Sequence, residues 1–115
     1  MFINLISAAA ANQAKALRFG RKFLAAGWRV HLSINMDAVN LLAPGAELAM
    51  CPVSGKPLPT LLEAFHTEGG RVLVGKECMG LAGINPDDLP AGYEVAAFPV
   101  TEEIMAIPDL KIITW

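Results

Sequence analysis

From Phe2 to Trp115, short runs of strand character alternate with stretches of helical periodicity, and no other feature constrains the fold of this chain as strongly. Phe2–Ile6 is a brief apolar run closed by Ser7. A helix is expected from about Ala8 to Ala26. At about 100° per residue, Ala16, Leu17, Phe19, Phe23 and Leu24 share one stripe, with Lys15, Arg18, Arg21 and Lys22 opposite. Gly20 interrupts that stripe. Glycine costs a helix interior about 1 kcal/mol relative to alanine, so its use is read as close approach to a sheet. Gly27 is placed to end the helix.

Trp28–Asn35 alternates as a second strand through Trp28, Val30, Leu32 and Ile34. A short helix from Asp37 to about Ala43 stops at Pro44-Gly45. From Pro44 to Pro59 the chain carries four prolines and two glycines, a long loop of the kind that often serves function or faces a partner. Leu58, Leu61, Leu62 and Phe65 mark another amphipathic helix, closed by Gly69-Gly70. Arg71–Val74, Tyr93–Ala97 and Lys111–Trp115 complete five strands. Asn85-Pro86-Asp87-Asp88 reads as a capped turn, and Thr101 with Glu102 and Glu103 as the start of a last helix. Strands alternating with helices imply a parallel sheet covered on both faces. The expected fold is one small doubly wound α/β domain over residues 1–115, with a five-stranded, mostly parallel sheet.

Composition narrows the function. A hydrophobic content of 54% with 17% charged residues excludes intrinsic disorder. The net charge of −2 provides no basic field for nucleic acid. The longest stretch free of Asp, Glu, Lys and Arg, Met1–Ala14, contains Asn4, Ser7, Asn12 and Gln13, and falls short of the ~18–20 apolar residues of a membrane span. That stretch has no Lys or Arg ahead of its apolar part, which is too short for the core of a secretion signal. Cys51 and Cys78 are too few for a disulfide scaffold, so a reducing cytoplasm is expected. The apolar excess argues for a homo-oligomer, because a chain of this size buries only about two-thirds of its surface.

Ligands of open α/β sheets bind outside the carboxyl ends of the strands. Three segments leave those ends: Ser7 onward, Asn35-Met36-Asp37, and Gly75-Lys76-Glu77-Cys78. A thiol at Cys78 would meet the positive end of a following turn or short helix, with Lys76 adding charge and backbone N–H groups around Met79 and Gly80 adding support; Glu77 opposes them. The alternative for Cys78 is a small buried hydrophobe. Cys51 lies beside Pro52, which offers no N–H, and is either a loop cysteine or a secondary thiol. No CxxC pair exists, and neither His31 nor His66 has a partner at i±3 or i±4, so no metal site is expected. Gly75-Lys76 lacks the rest of a phosphate-binding loop, and the alanine-rich Ser7–Asn12 segment argues against a flavin, so no cofactor is expected. Asp37, Asp87 and Asp88 are read as helix-start residues rather than acid–base catalysts.

Several of these segments, in this order, carry a resemblance. They are Phe2-Ile3-Asn4-Leu5, Ala26-Gly27-Trp28-Arg29-Val30-His31-Leu32, Asn35-Met36-Asp37-Ala38-Val39, and Leu61-Leu62-Glu63-Ala64-Phe65 with Gly69-Gly70-Arg71-Val72. Cys78 follows, then Leu81, Gly83-Ile84 and Asp87-Asp88-Leu89. Over nearly its whole length the chain resembles the DsrE/DsrF-like proteins. The resemblance implies a compact, commonly oligomeric α/β domain. Some members act in sulfur oxidation or in the relay that thiolates tRNA, carrying sulfur as a persulfide on a cysteine at the position of Cys78. It therefore implies a cytoplasmic sulfur carrier of sulfurtransferase type, working between donor and acceptor proteins. Many close relatives have a second cysteine three residues earlier, where this chain has Gly75; such a loop cannot close a local disulfide. The alternative function is a non-catalytic oligomeric binding protein, with a small-ligand pocket between subunits lined by the Pro44–Pro59 loop.

Overall fold

A computed structural model describes residues 1–115. Its strands are β1 Phe2–Leu5, β2 His31–Ile34, β3 Arg71–Gly75, β4 Glu94–Ala96 and β5 Ile112–Thr114. Its α-helices are α1 Ala10–Ala25, α2 Leu58–Thr67, α3 Lys76–Ala82 and α4 Phe98–Met105. The strands form one sheet in the order β4-β3-β2-β1-β5, and every pairing is parallel. Sequence patterning implied a mostly parallel sheet; parallel pairing holds throughout because every connection crosses back over a face of the sheet.

Period-two alternation divides the core between those faces. Ile3, Leu5, Leu32, Ile34, Val72 and Val74 point to the side covered by α1 and α2, where Leu17, Leu61 and Phe65 complete the larger core. On the other side Phe2 and Leu73 meet Ile104 of α4. Helices thus cover both faces. Gly20 is where α1 comes closest: a Cβ there would lie 2.9 Å from Phe65 Cε2 and 3.2 Å from Ile3 Cδ1. The close approach inferred from Gly20 is made to α2 as well as to the sheet.

Four boundaries differ from the sequence reading. The second strand starts at His31 rather than Trp28, because the Trp28 N–H donates to Phe23 O (3.0 Å) and its ring packs edge-on against Phe23. The helix expected from Asp37 is a 3-10 segment, Met36–Leu42. The last helix begins at Phe98, with Pro99 supplying a helix-ready φ in the first turn, so Thr101 lies inside it and caps nothing. Cys78 stands within α3, which begins directly at the end of β3. The Pro44–Pro59 stretch is also more ordered than a bare loop. It contains a 3-10 turn, Ala46–Leu48, and an antiparallel bridge between Met50 and Pro57.

Candidate functional site

Parallel strands bring the segments that follow β1, β2 and β3 to one edge of the sheet. There they enclose a crevice of about 440 Å³ whose walls include Ala8, Met36, Val39, Ala43, Cys78 and Leu81. Cys78 is half-buried, in the first turn of α3. Its Sγ accepts a hydrogen bond from the Met36 backbone N–H at 3.1 Å. Met36 makes this contact with φ at +52°, a left-handed conformation uncommon for a residue with a side chain.

The chain around Met36 is held by polar contacts. Asn35 Nδ2 donates to Asn4 Oδ1 and to Ser33 Oγ, each at 2.9 Å, tying the end of β2 to β1. Gly75 leaves room for this arrangement: a Cβ there would collide with Asn35 Oδ1 and stand 3.3 Å from Cys78 Sγ. On the far wall, buried Gln13 donates through Nε2 to Ser7 O (2.9 Å) and Asn40 Oδ1 (2.7 Å), while Asn40 Nδ2 donates to Ala8 O (3.2 Å). Neither Gln13 nor Met36 entered the sequence-based site. Met36 lay in one of the three strand-end segments singled out, but only its backbone dihedral aims the N–H at the sulfur.

The expected helpers of Cys78 are dispersed. Lys76 is exposed and forms no ion pair or side-chain hydrogen bond, Met79 is buried in the core, and the side of Gly80 faces open space. The observed hydrogen bond on Cys78 Sγ comes from across the crevice rather than from the Met79-Gly80 backbone.

Cys51 is the larger departure from the sequence reading, which gave it no donors. The chain reverses direction just after it. The Ser54 N–H reaches its Sγ at 3.4 Å and Arg18 Nη1 approaches from α1 to 3.9 Å. Contacts to Ser54, opposed by burial and aided by Val53 and Arg18, bring the Cys51 thiol down to about 6. Yet Cys51 is only 1% exposed. The lowered pKa thus belongs to a thiol shielded from solvent, whereas Cys78 is only half-buried; both are free thiols.

Elsewhere, His66 Nδ1 lies 4.0 Å from Glu63 Oε1, a partner at i−3 that the sequence reading did not credit. No group of three His, Cys, Asp or Glu side chains is placed to hold a metal ion. A hollow of about 590 Å³ along α2, between Pro59 and Glu68, has two carboxylates and two threonine hydroxyls but no thiol. No helix is long and apolar enough to cross a membrane.

No protein-family model matches the chain, and no curated protein matches it in sequence. Solved structures do match in fold. The ychN protein of E. coli superposes with a TM-score of 0.72 at 18% identity, covering 99% of this chain and 97% of its own. MTH1491 from Methanobacterium thermoautotrophicum, a protein of unknown function, gives 0.66 at 16% identity over 98% and 96%. At these identities the likeness is one of architecture.

Proposed function

We propose that this protein is a cytoplasmic sulfur carrier in which Cys78 accepts sulfane sulfur as a persulfide and passes it to a partner protein. The reading rests on one observation: the Cys78 sulfur faces a crevice at the carboxyl ends of the strands and receives the Met36 N–H. Thiolate is the attacking species in sulfur exchange. In the loading step the Cys78 thiolate attacks the outer sulfur of R–S–SH, the S–S bond breaks, and R–S⁻ leaves while the proton stays on the transferred sulfur. The fold, shared with ychN and MTH1491, agrees with the DsrE/DsrF-like resemblance, which supplies the persulfide chemistry. With Gly75 in place of a nearby cysteine, the persulfide waits for an external thiol.

The test is mass spectrometry after incubation with a persulfide donor. Wild type gains one sulfur atom, removable by thiol, and Cys78→Ser gains none. Equal loading of the two chains overturns the reading.

A second reading, a homo-oligomeric binding protein, is favoured by the apolar side chains exposed along the Pro44–Pro59 stretch: Leu48, Met50 and Val53. Light scattering that finds a monomer at micromolar concentration removes it. A loaded Cys78 in a stable oligomer would leave sulfur transfer as the function and assembly as its setting.

A further inference from the structure

We propose that the crevice beside Cys78 selects a sulfur donor whose substituent is compact, apolar and free of anionic groups, in preference to thiosulfate or an acidic peptide persulfide. The inference rests on the sulfur-carrier reading and adds to it the class of donor. Ala8, Val39, Ala43, Leu81 and Ala82 supply mostly apolar wall to a space of about 440 Å³, within the usual range of about 300–1,000 Å³ for small-molecule sites.

The polar groups of the lining point the same way. Asn40 is held by Gln13 and Ala8, and the Met36 N–H is spent on the sulfur itself. The one ionisable group other than the thiol is the exposed carboxylate of Asp37, and no cation lines the space. An anionic donor would lose hydration there and meet a like charge, and no cationic side chain in the lining offsets either cost. At the mouth, Met36 and Leu81 are 63% and 92% exposed, giving an apolar substituent a surface to cover as it enters. Loading then follows the balance already given, with R an alkyl or aryl group: Cys78–S⁻ + R–S–SH → Cys78–S–SH + R–S⁻.

Two measurements on the full chain separate this inference from the reading beneath it. The first involves no sulfur transfer. Alkylation of Cys78 by N-benzyl iodoacetamide and by iodoacetate is compared, each relative to its rate with a free low-molecular-weight thiol. The corrected ratio is expected to favour the benzyl reagent at least tenfold, and Asp37→Lys should reduce it severalfold. A ratio near one, or one that Asp37→Lys leaves unchanged, overturns the selectivity. The second measurement compares sulfur loading from benzyl persulfide, glutathione persulfide and thiosulfate, with benzyl persulfide expected to be fastest. Equal or faster loading from thiosulfate overturns the donor class while keeping the carrier. Failure of all three donors, with the alkylation preference intact, overturns the carrier and leaves an apolar-ligand site at Cys78.

Discussion

The Met36 N–H and the Cys78 sulfur lie 3.1 Å apart, joining positions 42 residues apart in the chain. A non-glycine residue at φ +52° makes that bond, and left-handed backbone of this kind costs on the order of 1 kcal/mol. The Met36 side chain is largely exposed, so little packing compensates. Met36→Gly keeps the N–H and removes the steric cost. Urea unfolding is expected to show it at least as stable as wild type, with the Cys78 alkylation rate kept within about twofold. A loss above about 1 kcal/mol would mean that the methionine side chain matters to the fold.

The two thiols should separate by access. Iodoacetamide is expected to modify Cys78 well before Cys51 in the native protein, because Cys51 is 1% exposed despite its lowered pKa. In urea, where the Ser54 and Arg18 contacts are gone, the two rates should converge. Native Cys51 reacting first would show that its turn opens readily.

Cys51 should also tie stability to pH. Its pKa falls from 9.0 to about 6 in the folded chain, so folding favours the ionised form. The resulting stability is present in full above the unfolded pKa of 9.0 and is lost as pH falls through the folded value. Urea midpoints are expected to rise between pH 6 and 9 in wild type and to rise less in Cys51→Ala. Parallel curves for the two proteins would remove the thiolate from the account.

Two glycines near Cys78 should respond oppositely to alanine. At Gly75 the new Cβ meets Asn35 Oδ1, and overpacking of this kind costs about 1–3 kcal/mol. Disturbing Asn35, next to Met36, should also change the rate of Cys78 alkylation. Gly80 has nothing within 4 Å of an added Cβ and sits inside α3, so alanine there is expected to stabilise by up to about 1 kcal/mol. Thermal melts of the two variants decide the matter.

Acid should loosen two ion pairs. Hydrogen bonds from Arg21 to Glu68 and from Arg71 to Glu94 hold both carboxyl groups below their ordinary range. Their contribution is present above the unfolded carboxyl pKa and is lost as pH falls through the lower folded values. Both pairs are partly exposed, so the effect should be small and should shrink in high salt. Glu94→Gln is expected to flatten the acid limb of a stability–pH curve.

The sheet was legible because the short apolar runs of β1 and β3, the alternation leading into β2, and the helical stripes of α1 and α2 report burial directly. Gly20 was legible too, as a glycine set in an apolar stripe. Trp28 misled because its apolar phase continues the β2 alternation, whereas its N–H belongs to the end of α1. At the site, Cys78 could be singled out from its place after a strand. The hydrogen bond from Met36 could not, since it depends on a single positive φ. The donors on Cys51 were hidden for a related reason: Ser54 returns through a turn, and Arg18 arrives from a helix 33 positions away. Contacts of that range leave no periodic trace.

The strand order has a consequence for the life of the chain before it is folded. Phe2 pairs with Ile112 and Asn4 with Thr114, so one edge of β1 stays bare until residues 112–114 have been synthesised. With every neighbour parallel, no hairpin can form early to occupy it. Such long-range pairings are slow to form, and an open strand edge is a template for other chains. A nascent chain, or a copy cut before Ile112, would present the edge of Phe2-Ile3-Asn4-Leu5 to its neighbours as a template for aggregation.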